Sequence, residues 1–356
     1  MDKVKNGKRE YWLDALKGLA MIFVIAGHSG LPMQVSNVIY FFHMPLFFFI
    51  SGYLEKSKND PFKTVLIKRG KRLIYPYFVY GSMIVIYNTA YYYRITNNMA
   101  EGVLKRIVAL IYGNFIFENN YAYIGTLWFL VCSFCVSILF YWFHKTKSKW
   151  KYSACIILVG FVVTWLESKL HFRLPWCFDI ALVAFSFSVA GYFFKTYTNK
   201  VDNVEIRIWK GVLWGILGLL FGGLNTQYMT MRNYSLIRTD MLYLNWGCIP
   251  LFLLSGILIS VSLSIISKYI FSKYRILILE SIGRNSLTIM VVHLYIIQIV
   301  SRILGKTSIP AKSWMVFLIG LVVSVFVSRI IKKYFPYLND CSKLKIKCFM
   351  KNTEGE

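Results

Sequence analysis

Long apolar runs, separated by short polar segments, dominate this chain. Ten runs have the length of about 17 to 25 residues that an α-helix needs to cross a bilayer. The pattern therefore predicts an all-α, polytopic membrane protein. The ten predicted spans are approximately 12–32, 37–54, 73–93, 124–143, 152–168, 178–194, 207–224, 246–267, 285–303 and 313–331.

The remaining segments predict one membrane domain over residues 1–335 and a short basic cytoplasmic tail over 336–356. No Pro/Ser-rich linker and no repeat divides the domain. The apolar stretch 103–117 is short and favours an interfacial or re-entrant helix. Pro45 predicts a break in the second span. Attraction to anionic lipid is the expected role of the tail.

Composition and charge support this assignment. Hydrophobic residues make up 57% of the chain and charged residues 16%, whereas soluble domains carry roughly a quarter charged residues. There are 41 Lys and Arg against 16 Asp and Glu, clustered in short segments between the apolar runs. Alternate segments hold 29 and 10 of these cations, which predicts that both termini are cytoplasmic. Nucleic acid is not an expected partner.

The cysteines predict neither a disulfide framework nor a metal site. There are seven, and most lie in or beside apolar runs. The pair Cys132 and Cys135 has no histidine nearby to complete a ligand set. We expect no bound metal and no bound cofactor.

Three histidines fall inside predicted spans, where a polar group costs several kcal/mol unless it is paired or faces a cavity. They are His28, His43 and His293. On a helix, Lys17 and His28 lie within about 20° of one face and about 16 Å apart along the axis. The alternative has Lys17 extending to lipid headgroups and His28 bonding a backbone carbonyl.

Arg69 and Arg72 stand three residues apart before the third span, a spacing that suits a phosphate group. They can equally be charges that only set topology. Together with Lys17 they suggest a long anionic ligand that enters from the cytoplasm and reaches His28. His28 would then be the general base that accepts a proton from a hydroxyl.

Six motifs occur in order between about residue 10 and about residue 330, and together they resemble the acyltransferase-3 family of polytopic membrane enzymes. The chain looks most like the family's branch of fucose 4-O-acetylase-related proteins. The motif segments are 14–28, 42–53, 69–72, 126–130, 174–182 and 283–293.

The resemblance implies an O-acyltransferase that moves an acyl group, usually acetyl, from acyl-CoA to a sugar hydroxyl of an envelope glycan or glycolipid. His28 matches the family's catalytic histidine, and Arg69 and Arg72 match the pair associated with the donor. Lys17 keeps the family's spacing to His28 but replaces an arginine, so it cannot make a bidentate contact. An integral protein of the bacterial inner (plasma) membrane is expected.

Other motif positions are expected to support the site without a firm role. Trp128 and Trp176 suit stacking on a sugar ring, although interfacial aromatic belts explain them as well. Asp179 can bind a sugar hydroxyl, orient an imidazole, or be an interfacial carboxylate. The supporting set is Asp14, His43, Asp179, His293, Asn285, Trp128 and Trp176.

Two other classes of protein remain open from the residues. A transporter or flippase of an anionic glycolipid would also place His and Arg along a membrane path, although it predicts matching helix breaks in the two halves. A scaffold would leave the polar face of the first helix unexplained. For an enzyme, direct transfer is preferred, because no nucleophile motif is present; Ser29 or His28 itself can still carry an acyl group.

Overall fold

The protein folds as an all-α bundle. The computed structural model describes residues 10–56, 59–96, 100–114, 125–170, 172–200, 208–305 and 312–339. Within these ranges there is no β-strand, only one isolated bridge between Asp240 and Asn245. The helices are α1 (Tyr11–His28), α2 (Met33–Tyr40), α3 (His43–Tyr53), α4 (Phe62–Arg69), α5 (Tyr75–Thr96), α6 (Ala100–Tyr112), α7 (Trp128–Lys145), α8 (Lys149–Leu170), α9 (Phe178–Lys200), α10 (Ile208–Met231), α11 (Ile249–Lys273), α12 (Leu277–Arg284), α13 (Ser286–Gly305) and α14 (Lys312–Tyr334).

Eight helical stretches in the described ranges are long and apolar enough to cross a membrane, which confirms an all-α polytopic fold. Ten spans were predicted, and the runs at 12–32 and 73–93 are the two that do not qualify. The basic tail beyond residue 339 lies outside the described residues. The eight stretches are Met33–Tyr53, Gly125–Lys145, Lys149–Glu167, Pro175–Thr198, Ile208–Met231, Ile249–Lys273, Ser286–Gly305 and Lys312–Tyr334.

Helix α1, which carries Asp14, Lys17 and His28, lies in the interior of the bundle. It contacts α3, α11, α12, α13 and α14. Its apolar side chains, such as Leu16 and Val24, are fully buried. Polar groups in a membrane protein are tolerated where they face protein or a cavity. Helix α1 therefore places its polar side chains inside the protein.

The first two spans differ in detail from the prediction. Helix α1 ends at His28, and Gly30 follows with φ of +69°, a left-handed conformation that favours glycine. The second span is broken, as predicted, but the break lies before Pro45, between α2 and α3. Pro45 stands in the first turn of α3, where its missing N–H has no helical partner to lose.

Two shorter apolar segments form separate helices. Residues 277–284 form the separate helix α12, which ends at Arg284, and α13 begins at Ser286. The segment 103–117, predicted as interfacial or re-entrant, overlaps α6, which packs against α5, and its residues 115–117 lie outside the described residues.

Glycines allow α3 and α9 to pack with their backbones in contact. A Cβ atom on Gly52 would overlap the carbonyl oxygen of Ser188, and one on Gly191 would overlap that of Phe49. Small residues at such positions allow close approach of helices in membranes. This contact holds α3, which begins with His43, against α9.

Replacing Gly191 by alanine is expected to lower the melting temperature of the protein in detergent. The added methyl group forces the helices apart, and overpacking of this kind typically costs about 1–3 kcal/mol. Gly223→Ala is the matched control, because a Cβ atom there meets nothing within 4 Å. Equal melting temperatures for the two variants would contradict the close α3–α9 contact.

Candidate active site

Two cavities lie along helix α1. The first, here called the histidine cavity, has a volume of about 180 Å³ and includes His28 in its wall. Residues from α1, α2, α3, α7 and α13 surround it, together with the turn before α7 and the α10–α11 loop, residues 232–248. Its lining is Val24, His28, Tyr40, His43, Met44, Gly125, Thr126, Trp128, Arg238, Asp240, Met241, Leu242, Tyr243 and Met290.

His28 occupies the last turn of α1 and is in contact with other rings. Its Nδ1 lies 3.5 Å from the Tyr40 hydroxyl. Its ring centroid lies 5.4 Å from that of His293 and 6.4 Å from that of His43. In the tautomer that carries its proton on Nδ1, the ring donates to the Tyr40 oxygen. The lone pair of Nε2 is then available to accept a proton.

Backbone carbonyls orient the other two imidazoles. Nδ1 of His43 donates to the carbonyl of Ile39, and Nδ1 of His293 donates to that of Ile289, each at 3.0 Å. A carbonyl only accepts, so both rings carry their proton on Nδ1 when neutral. Nε2 of His293 is buried with no hydrogen-bond partner in the described part of the chain. The cluster thus presents fixed imidazole acceptors around His28.

The α10–α11 loop brings a cation to the histidine cavity. The Arg238 guanidinium lies over the Tyr40 ring, 4.0 Å from its centroid, and Nη2 is 3.7 Å from the Asp240 carboxylate. Burial raises the pKa of the Asp240 carboxyl, while Arg238 opposes that shift. Nε of Arg238 is buried without a hydrogen-bond partner in the described residues, so it can donate to a bound group.

The second cavity, here called the basic cavity, has a volume of about 430 Å³. It lies beside the first half of α1 and the start of α13. Four cationic residues and one carboxylate line it: Lys17, Arg69, Arg72, Arg284 and Asp14. The remaining lining residues are Phe47, Ile50, Ser51, Leu54, Leu73, Phe129, Leu130, Ser133, Gly283, Ser286, Leu287, Met290 and Asn339.

The two arginines reach the basic cavity from a change in helical geometry. Arg69 ends α4, and Arg72 lies in the π-helical turn Gly70–Ile74. Such turns occur frequently at functional sites. Arg69 Nη2 donates to Glu55 Oε2 at 2.5 Å, which holds the guanidinium in place. Both guanidinium groups line the basic cavity, where they can bind phosphate oxygens.

Lys17 and Arg284 complete the cationic wall. Lys17 Nζ lies 4.0 Å from the Asp14 carboxylate, one turn earlier on α1. Arg284, at the end of α12, lies 3.4 Å from Glu280. Gly283 brings α12 against the backbone of Asp14, since a Cβ atom there would overlap its carbonyl oxygen. The packing of α12 on α1 thus brings Arg284 to the cavity that Arg69 and Arg72 also line.

Helix α1 connects the two cavities. Lys17 lines the basic cavity and His28 lines the histidine cavity, as expected for two residues about three turns apart on one face. A cationic cavity at one end and a cluster of imidazoles at the other can hold an anionic ligand and take a proton from a hydroxyl.

A family model described as an acyltransferase domain, that of acyltransferase-3, matches residues 10–333. The chain belongs to the acyltransferase-3 family. No curated protein and no solved structure was found to match it. The family and the apolar helices together make it a multi-pass membrane acyltransferase.

The structure of this acyltransferase brings most of the predicted site residues to the two cavities, but not all. Trp128 and His43 join His28 at the histidine cavity, and His293 packs against the His28 ring. Asp179, Asn285 and Trp176 line neither cavity. Trp176 Nε1 instead donates to the carbonyl of Ile111 at 3.0 Å, and Asn285 is buried at the break between α12 and α13.

Asp179 is fully buried in a network that supports the wall of the histidine cavity. Its Oδ2 accepts from Arg173 Nε at 2.7 Å and from Asn114 Nδ2 at 3.1 Å. Arg173 Nη1 also donates to the carbonyl of Leu242, at 3.1 Å. Leu242 belongs to the α10–α11 loop and lines the cavity. Asp179 is therefore connected to the site through Arg173, and no contact with a ligand follows from its position.

Replacing Asp179 by alanine is expected to lower the melting temperature strongly, because it removes the fully buried carboxylate that pairs with the partly buried Arg173 guanidinium. Breaking a buried pair in this way typically costs about 3–5 kcal/mol. The matched control is Asp60→Ala, which removes a carboxylate from an exposed pair with Lys68. A loss of activity without any loss of thermal stability would contradict the structural role of Asp179.

Two cationic residues of the site were not predicted as ligands. Arg284 lies inside the motif segment 283–293, so the resemblance to the family could have indicated it as a site residue. Arg238 lies in a polar loop and resembles any topology charge in the sequence. Only the folding of that loop over Tyr40 shows its place at the cavity.

Proposed function

We propose that this membrane acyltransferase transfers acetyl from acetyl-CoA to a sugar hydroxyl of an envelope glycan or glycolipid, as a member of the fucose 4-O-acetylase-related branch. The observation that carries the proposal is the pair of cavities along α1, one lined by cations and the other containing His28. A CoA ester has phosphates at one end and a thioester at the other. Its two ends match the chemistry of the two cavities.

The phosphates of the donor would bind in the basic cavity. Arg69 and Arg72 offer the planar forks that recognise phosphate oxygens, and Arg284 adds a third. Lys17 supplies a point charge. By the charge asymmetry of the sequence this end of the bundle faces the cytoplasm, where acyl-CoA is made.

The acceptor would enter the histidine cavity beneath the α10–α11 loop. Trp128 can stack on a sugar ring, while Asp240 and Tyr243 offer hydrogen-bonding groups for hydroxyls. His28 lies in the same cavity. This arrangement places an acceptor hydroxyl within reach of the imidazole.

The reaction is direct acyl transfer. Neutral His28 accepts the hydroxyl proton as the acceptor oxygen forms a bond to the thioester carbon. Arg238 Nε, which has no other partner in the described residues, can donate to the oxyanion that develops. The carbon–sulfur bond then breaks, and the protonated His28 returns the proton to the CoA thiolate. The products are an O-acetyl ester and CoA.

The test is an acyl-transfer assay with the purified protein in lipid vesicles. Acetyl-CoA labelled in the acetyl group is supplied with a panel of methyl hexosides and methyl 6-deoxyhexosides, and the products are examined for an alkali-labile ester. Transfer of label to at least one acceptor is the expected result. Absence of label from every acceptor would contradict the proposal, and movement of a fluorescent anionic glycolipid across the same vesicles would then favour the transporter alternative.

A further inference from the structure

Met290 lies at the boundary between the two cavities. It is the one residue in the described ranges that lines both of them. It lies on α13 one turn before His293, whose ring packs against that of His28, and only 3% of it is exposed. A group that moves directly from the basic cavity into the histidine cavity would therefore pass beside this residue.

The surroundings of Met290 fix its backbone. The Thr126 hydroxyl donates to the Met290 carbonyl at 2.6 Å, and Thr126 is itself buried. The consecutive residues Trp128 and Phe129 begin α7 and also contribute to both cavities. Trp128 lines the histidine cavity, and Phe129 lines the basic cavity. The boundary is therefore made of two aromatic rings on α7 and a methionine on α13.

Methionine suits a boundary that must open. Its side chain is unbranched, has three rotatable bonds and adapts to neighbours of irregular shape. The aromatic rings opposite are larger and stiffer, and Phe129 also packs against Phe47 and Phe48 with ring centroids 5.8 and 5.0 Å apart. The Met290 side chain is the part of this boundary that can move most easily.

We propose that Met290 is the gate through which the thioester end of the donor reaches His28, and that its bulk restricts the enzyme to short acyl groups. The inference rests on the proposed function. The histidine cavity, at about 180 Å³, is smaller than the roughly 300–1,000 Å³ typical of ligand pockets. A longer acyl chain therefore needs the volume that the Met290 side chain occupies.

Three variants test the gate. Met290→Ala enlarges the passage, Met290→Leu keeps its volume, and Met290→Trp fills it. For each variant, kcat/KM is measured with acetyl-CoA and with hexanoyl-CoA, using the methyl glycoside that the unmodified protein acetylates fastest. Binding of CoA is followed separately by the rise in melting temperature that it causes.

The expected results differ between the variants. Met290→Ala raises the ratio of hexanoyl to acetyl kcat/KM by about 10- to 200-fold, the range by which pockets discriminate small differences in chain size. Met290→Trp abolishes acetyl transfer but keeps the thermal protection by CoA, because the phosphates still bind beyond the gate. Met290→Leu, which has a similar volume, keeps the ratio of hexanoyl to acetyl kcat/KM at the value of the unmodified protein.

Ile297→Ala is the matched control, since Ile297 lies two turns further along α13, is buried and lines neither cavity. It should lower the melting temperature without changing the acyl-chain ratio. An unchanged ratio in Met290→Ala, or undiminished acetyl transfer in Met290→Trp, would overturn the gate while leaving the acetyltransferase intact. Failure of the unmodified protein to transfer acetyl would overturn both proposals.

Discussion

Replacing His28 by glutamine is expected to lower kcat for acetyl transfer by about 10²- to 10⁴-fold, the usual contribution of a general base. Glutamine can fill much of the imidazole site, but it cannot take the hydroxyl proton. Thermal protection by CoA should remain, because the cations of the basic cavity lie about three helical turns away from His28. The measurements are kcat in lipid vesicles and melting temperature with and without CoA.

His43→Gln is the matched control for this prediction. His43 also lines the histidine cavity, but Ile39 fixes its Nδ1 and its ring lies 6.4 Å from that of His28. We expect a smaller loss of kcat for His43→Gln than for His28→Gln. Acetyl transfer at the unmodified rate in His28→Gln would show that another group accepts the proton. His293, with its unpartnered Nε2, would then be the next residue to replace.

The second large effect is expected from the double replacement of Arg69 and Arg72 by glutamine. Each guanidinium can make charge-assisted hydrogen bonds to a phosphate, typically worth about 1.5–3 kcal/mol. The double variant should lose the thermal protection by CoA and show a KM for acetyl-CoA raised by at least about 100-fold. The measurements are melting curves over a CoA titration and initial rates over an acetyl-CoA titration.

The control is the replacement of Lys68 and Lys71 by glutamine. These lysines lie beside the same arginines, and their replacement removes the same formal charge. Neither lysine lines the basic cavity, and Lys68 pairs with Asp60. Their loss should leave CoA protection nearly unchanged. If both double variants weaken CoA binding equally, the effect is one of general surface charge, and the phosphate-binding role of the arginines is contradicted.

Much of the candidate site could be predicted because one regular helix carries it. On an α-helix the spacing between Lys17 and His28 determines that both side chains lie on one face, and α1 spans Tyr11–His28 without a break. The interior position of α1 suits these charges, since a lipid-facing helix with Asp14 and Lys17 would be costly. The same charges explain why α1 does not count among the apolar spans.

Features that depend on tertiary contact could not be predicted. Pro45 pointed to the wrong position for the helix break, because a proline in the first turn of a helix is compatible with it. Asp179 was interpreted as a possible sugar ligand, whereas its oxygens bind Arg173 and Asn114. Periodicity reports which face of a helix a residue occupies, but not which partner that face meets.

The residues Arg238 and Met290 illustrate the same limit. Arg238 reaches the cavity only because the α10–α11 loop folds over Tyr40. Met290 is an ordinary apolar residue in an apolar helix, and its place between two cavities depends on α7 and α13 together. Neither contact leaves a local pattern in the sequence.

A structure of the protein with a non-hydrolysable acetyl-CoA analogue tests the central claim most directly, because that claim concerns where the two ends of the donor lie. We predict that the phosphates contact Arg69 and Arg72 in the basic cavity, and that the acetyl group lies past Met290 beside the His28 imidazole. An analogue bound with its phosphates away from these arginines, or with its acetyl group remote from His28, would contradict the account.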